Sequence, residues 1–253
     1  MKLEGKVALV TGAGSGMGEG ISLMFAGEGA DIAVNDIDLA AAEKTASAVR
    51  KMGRRAIAIK ADVAEAAEVE AMVSRTIEEL GGVHILINSA GFSAGGTVLE
   101  ESLENWDRNI NVMLRGPYLC AKYAGRWMAA HKTGKVVNIS SITAMGGSPG
   151  MGAYIVAKAG VNALTRVLAM EWSKLGINVN CIAPGIIDTP MTQNTIAKRF
   201  TPERLAAYVP LGRMGTAEDI AKAALFLVSE DSSFITGTTI PLDGGTINAG
   251  GGH

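Results

Sequence analysis

Tyr154 and Lys158 stand four residues apart in a stretch with helical apolar spacing, so their side chains share one face. A phenol near pKa 10 is a poor base at neutral pH, but an ammonium beside it favours the phenolate. The pair is a candidate acid/base. Ser141, 13 residues before Tyr154, follows the apolar run 134–140, where its hydroxyl could hold a substrate oxygen. An ordinary amphipathic helix and a Ser-rich strand end would look the same, so the weight comes from a second motif. Thr11-Gly12-Ala13-Gly14-Ser15-Gly16-Met17-Gly18 joins the first apolar run to a helical stretch. Its glycines let the backbone turn sharply and approach a pyrophosphate, whose charge the free N–H groups of a helix start favour. The spacing is TGxxxGxG and not GxGxxG, because Met17 and Glu19 stand where the last glycine would fall.

Asp36 ends the second apolar run, 24 residues after Gly12, close to the distance expected of an acid that binds a ribose 2′-hydroxyl. A carboxylate there repels a 2′-phosphate, and no cation compensates, since Ser15 lies in the turn and Ile37 follows the acid. The expected cofactor is therefore NAD(H), with NADP(H) disfavoured. Asp62-Val63 closes the third run and Asn88-Ser89-Ala90-Gly91 the fourth, which places both at the edge where such sheets bind ligands.

These residues need a scaffold, and the chain shows one. Short β-branched runs at 6–11, 31–36, 56–61, 84–88, 134–140, 177–183 and 238–242 alternate with helical spacing near 17–28, 39–52, 65–80, 101–131, 152–175 and 216–229. The strands are continuously apolar, which indicates a sheet covered on both faces. The expected fold is α/β, a doubly wound parallel sheet in three layers. No linker, charge run or repeat divides it, so residues 1–253 read as a single domain, with a substrate flap at about 190–212 and a glycine-rich tail at 244–253.

The motifs together resemble the short-chain dehydrogenase/reductase family, in its branch of about 250 residues with a single Rossmann domain. They occur in order: TGxxxGxG at 11–18, Asp62, NSAG at 88–91, Asn111, Ser141, YxxxK at 154–158, and Pro184-Gly185 followed by Thr189. The resemblance implies that Tyr154 is the general acid/base and that Ser141 orients the substrate oxygen. It implies that Lys158 lowers the Tyr154 pKa and binds the nicotinamide ribose, and that Asn111 holds a water linking Lys158 to solvent. Pro184, Gly185, Ile187 and Thr189 would position the nicotinamide. The chain departs from the NNAG pattern at Ser89, and Ser140 beside Ser141 leaves an ambiguity that the 13-residue spacing decides for Ser141.

Composition narrows the partners. With 23 Lys+Arg against 25 Asp+Glu the net charge is −2, so nothing draws the chain to a nucleic acid or an anionic membrane. No apolar run has signal-peptide or membrane-spanning length. Two cysteines, Cys120 and Cys181, give no disulfide framework and fit a reducing cytoplasm. His84, His131 and His253 form no close pair that suggests a metal. The segments expected around the reacting carbon, 93–96, 142–147 and 151–152, contain no Arg or Lys, which points to an uncharged hydrophobic alcohol or ketone. Lys198, Arg199 and Arg204 on the flap are the cations that could alter this. Met145, Met151 and Met191 flank the catalytic segments and are candidate pocket residues. Two other readings compete: an acyl-thioester reductase, which commonly carries Arg where this chain has Leu175, and a non-catalytic dinucleotide sensor. Apolar residues on more than one face of 101–131 and 152–175, namely Leu103, Trp106, Leu119, Trp127, Val161, Leu164, Leu168 and Trp172, predict packing against other copies. The resemblance implies a homotetramer.

Overall fold

The computed structural model describes residues 1–92, 95–195, 201 and 208–249. Its elements run β1 (Val7–Thr11), α1 (Gly16–Gly27), β2 (Asp31–Asp36), α2 (Leu39–Lys51), β3 (Ala56–Lys60), α3 (Ala66–Leu80) and β4 (Ile85–Asn88). Then follow α4 (Leu103–Ile110), α5 (Gly116–His131), β5 (Gly134–Ile139), α6 (Gly152–Trp172), β6 (Ile177–Pro184), β7 (Ile187–Asp188) and α7 (Pro190–Thr195). The last are β8 (Gly215–Thr216), α8 (Ala217–Val228) and β9 (Thr239–Leu242). Seven strands form one parallel sheet in the order β3-β2-β1-β4-β5-β6-β9, and β7 pairs with β8 apart from it.

Alternate residues of each strand enter opposite cores, which is why the strands read as continuous apolar runs. Ala8 and Val10 of β1, with Ile32, Val34, Ile85 and Ile87, face α1, α2 and α8. Val7 and Leu9, with Ala33, Leu86, Val136 and Val179, face α3, α5 and α6. Truncating a fully buried residue such as Leu9 to Ala is expected to cost about 2–5 kcal/mol. Strand order reverses between β1 and its neighbours β2 and β4, so a crevice opens at the carboxyl ends of these strands.

The helical stretch expected near 101–131 is helical throughout 103–131, with a wide turn that divides it into α4 and α5. Ser102 caps α4 by accepting a hydrogen bond from the Asn105 N–H at 3.1 Å. At Asn111–Arg115 the chain widens into a π-helical turn in which the Gly116 N–H donates to the Asn111 carbonyl. Pro117 supplies the reason: it has no N–H to give Met113, and its ring would strike that carbonyl in a regular helix.

The apolar residues of these helices divide between core and surface. Leu119, Val161 and Leu168 are buried in the core, and Trp127, Leu164 and Trp172 pack against it. Leu103 and Trp106 stay exposed, joined by Tyr118 on α5 and by Val156, Val167 and Met170 on α6. No helix among the described residues is long and apolar enough to cross a membrane.

Candidate active site

The phosphate-type turn is built by close approach. A Cβ on Gly12 would lie 2.7 Å from the Ala90 Cα, and one on Gly18 would lie 2.3 Å from the Gly12 carbonyl oxygen, so neither position admits a side chain. Thr11 ties the turn to the end of β4: its Oγ1 donates to the Ile87 carbonyl and accepts from the Ser89 and Ala90 N–H groups at 3.1 and 3.2 Å. Asp36 is committed at both oxygens, Oδ2 accepting from the Gly14 N–H at 3.0 Å and Oδ1 from the Asp38 N–H at 3.1 Å. Ser15 precedes α1 without a side-chain cap, so the first N–H groups of that helix point into the crevice unblocked by a hydroxyl.

A cavity of about 760 Å³ runs from this turn across the sheet edge. Its wall includes Gly12, Ser15, Gly16, Met17, Gly18, Asp36, Ile37, Asp62, Val63, Ala90 and Gly91. Asn111, Ser141, Tyr154, Pro184, Gly185, Ile187 and Thr189 belong to the same wall. Two of the sequence-derived site residues stand behind the wall. Asn88 is buried and donates to the Asn138 Oδ1 at 2.8 Å, a sheet-bracing bond. Lys158 is buried and its Nζ donates to the Ile139 carbonyl at 2.9 Å, 5.9 Å from the centre of the Tyr154 ring. Gly91 lines the cavity, and a Cβ on it would come 3.7 Å from Nζ, so the ammonium lies just behind this glycine.

The two serines separate cleanly. Ser140 spends its hydroxyl on the Lys158 carbonyl at 3.0 Å, which fixes α6 against β5. The Ser141 hydroxyl lies 2.9 Å from that of Thr143, on the cavity wall that also holds Tyr154. Burial pushes the Tyr154 phenol up, and the nearby Ser141 hydroxyl pulls part of the way back. The phenol is therefore neutral at neutral pH, the form that donates a proton. The lowering that the resemblance assigns to Lys158 is not expressed in this geometry, where the ammonium faces a carbonyl. Burial pulls Lys158 itself down to about 8, with the Cys181 thiol opposing.

The same wall holds Thr143, from the expected segment 142–147, and residues that sequence reasoning did not single out: Phe92, Arg108, Ser148 and Tyr208. Arg108 matters most, because the three segments expected around the substrate contain no cation and α4 brings one from elsewhere. Its guanidinium carbon lies 4.4 Å from the Phe92 ring centre. Arg108 precedes Asn111 by one helical turn, and that spacing was the available signal. Met151 and Met191 line the cavity, whereas Met145 is exposed and outside it. Ser93, Ala94, Lys198, Arg199 and Arg204 lie outside the described residues. Among the described residues no three His, Cys, Asp or Glu side chains could hold a metal ion.

A family model described as enoyl-(acyl carrier protein) reductase matches residues 12–246. A solved structure of a putative short-chain alcohol dehydrogenase from Sinorhizobium meliloti superposes with a TM-score of 0.94 at 36% identity, covering 98% of each chain. The chain belongs to the short-chain dehydrogenase/reductase family. The subunit BbsD of (2S)-[(R)-hydroxy(phenyl)methyl]succinyl-CoA dehydrogenase from Thauera aromatica is 40% identical over 245 residues, 97% of this chain and 98% of that one. A 3-oxoacyl-[acyl-carrier-protein] reductase, FabG, from Thermotoga maritima is 34% identical over 98% of this chain and 100% of its own. Members of this family work with nicotinamide dinucleotides, and the glycine cradle, the uncapped start of α1 and the extended cavity fit such a group.

Proposed function

We propose that this short-chain dehydrogenase/reductase interconverts a secondary alcohol and its ketone with NAD(H). The observation that carries the reading is the placement of the Ser141 and Tyr154 hydroxyls on the same cavity as the glycine turn and Asp36. The nicotinamide, when bound, supplies or accepts the hydride. Ser141 would hold the substrate oxygen as charge develops on it, and Tyr154 would give its proton to that oxygen in reduction and take it back in oxidation. Lys158, with Nζ just behind Gly91 of the wall, would hold the nicotinamide ribose, and Asn111 would order water between Lys158 and solvent. Pro184, Gly185, Ile187 and Thr189 would set the ring's position. Asp36 supports NAD(H), since its carboxylate is fixed at the rim beside exposed Ile37 and would meet a 2′-phosphate.

The substrate is proposed to be hydrophobic and uncharged at its reacting end, where Ile142, Met151 and Met191 contribute to the wall. Arg108 gives specific support to a second reading, an acyl-thioester substrate bearing an anionic group away from the reacting carbon. The Thauera relative is named for a succinyl-CoA and the Thermotoga relative for an acyl carrier protein, which supports the same alternative. Two free, buried cysteines support a reducing cytoplasmic setting. The exposed Leu103, Trp106, Val167 and Met170 support a homotetramer.

The deciding experiment follows the absorbance of reduced nicotinamide with a panel of secondary alcohols, ketones and 3-oxoacyl thioesters, offered with each cofactor. Turnover with neutral ketones and NADH is the expected result. Binding of NADH without any turnover would leave a dinucleotide sensor, and preference for thioesters with NADPH would favour the second reading.

A further inference from the structure

Tyr154 is the third residue of α6, in the first turn, where a helix has N–H groups without internal partners and opens most readily. Met151, at the cap position, offers no side-chain acceptor. The acceptor comes from another part of the chain: Glu101 Oε2 takes the Ala153 N–H at 3.1 Å, 52 residues away in sequence. Around it the two segments are pressed together. The Gly96 N–H donates to the Gly150 carbonyl at 2.9 Å, and Gly96 bridges Met151. A Cβ on Gly152 would lie 3.3 Å from Glu101 Oε2 and 3.0 Å from the Val98 side chain.

The other end of Glu101 faces α4. Oε1 accepts from the Asn105 Nδ2 at 2.6 Å, and the Asn105 carbonyl accepts from the Asn109 Nδ2 at 2.8 Å. Asn109 is fully buried, its Oδ1 has no partner, and it lies two residues before Asn111. A polar seam thus runs from the backbone beside Tyr154, through Glu101 and Asn105, to the helix end that leads into the π-turn. We propose that Glu101 is a positioning residue, holding the Tyr154 turn of α6 in register with the Asn111 turn. This deepens the function proposed above and rests on Tyr154 being the proton donor and acceptor. The carboxylate suits both tasks, since it can accept at two oxygens and its charge favours a helix N-terminus.

The test compares Glu101→Ala with Glu101→Gln, which keeps an acceptor for the Ala153 N–H. Amide hydrogen exchange at 152–155, kcat and KM for the best alcohol found, and NADH Kd are read on each. In Glu101→Ala, exchange at 152–155 should rise about tenfold, the scale of a lost helix cap, and kcat should fall by at least about tenfold. NADH Kd should hold within about twofold, because the glycine turn is untouched, and Glu101→Gln should restore most of both losses. Unchanged exchange in Glu101→Ala, or faster exchange with kcat preserved, overturns the proposal, as does a Gln variant as impaired as Ala. Wild-type protein that turns nothing over sinks the redox reading itself, together with the catalytic half of this proposal, whatever the exchange shows.

Discussion

On the cofactor side of the cavity, positions are set by backbone and by partners at neighbouring strand ends. Gly12 meets Ala90, Asp36 holds the Gly14 N–H, and Thr11 bonds to the loop after β4. On the substrate side, position depends on side chains reaching across the chain: Glu101 to Ala153, Ser140 to Lys158, and Arg108 to Phe92. The first arrangement is stiff because close-packed glycines leave no room to move, and the second can be altered one side chain at a time. The contrast predicts that changes on the cofactor side alter affinity and cofactor choice, whereas changes on the substrate side alter turnover and selectivity.

Tyr154→Phe should break that contrast most visibly if it is wrong. Removing only the hydroxyl is expected to cut kcat by about 100-fold or more while NADH Kd, read by fluorescence titration, stays put. Turnover above a tenth of wild type would remove Tyr154 from the proton step. Next in size is Asp36→Ala, expected to shrink an NAD(H) over NADP(H) preference of about tenfold in kcat/KM, mainly by harming NAD(H). Because Asp36 also accepts from Gly14, Asp36→Asn separates its charge from its hydrogen bond, and a preference unchanged in Asn would show that the charge is not what discriminates.

A smaller effect is expected at Arg108. Arg108→Gln should lower kcat/KM for carboxylated ketones by about fivefold and leave matched neutral ketones within about twofold. The part of the wild-type rate with carboxylated ketones that depends on Arg108 should fade with salt. Equal effects on both ketone classes would mean that Arg108 supports Phe92 and does not read charge.

The smallest signal concerns pH and the protein without cofactor. Lys158 has its pKa pulled down from 10.5 to about 8, so between those values the unfolded chain binds more protons than the folded one. Stability from this group therefore rises with pH across that window. The thermal midpoint of wild type minus that of Lys158→Met should increase from pH 7 to pH 10. A flat difference would mean that burial does not disfavour the ammonium. Tyr154, raised by burial, acts in the opposite sense above pH 10, which bounds the usable range.

The same contrast explains what could be read from the sequence. The runs at 31–36 and 56–61 became β2 and β3 within a residue, because two buried faces leave a continuous apolar signature. The glycine turn and Asp36 were legible because their partners sit at adjacent strand ends, at spacings fixed by the βαβ unit. Ser141, Tyr154 and Lys158 were found by spacing and resemblance, and the structure brings them to one place. Glu101, Asn105 and Arg108 were not found, since an acid just before a short polar helix, and an amide and a cation on it, look solvated until the partner segment is placed. The two-residue strands β7 and β8 carry too few residues to show any period. The wide turn at Asn111 was hidden because apolar spacing continues through it, although Pro117 marked the place.

The wide turn at Asn111–Arg115 has a consequence in chain length. A π-turn takes up one extra residue within about one turn, so α4 and α5 face as they would in a regular helix one residue shorter, while Pro117 is spared the clash. A further residue, which the wide turn does not absorb, would rotate α4 by about 100° relative to α5, taking Arg108 from the cavity wall and Asn105 and Asn109 from Glu101. A one-residue insertion at 112–115 should therefore leave a folded protein that still binds NADH but has lost substrate selectivity and turnover together. Such a protein would show that the length of this one turn aims α4 at the substrate.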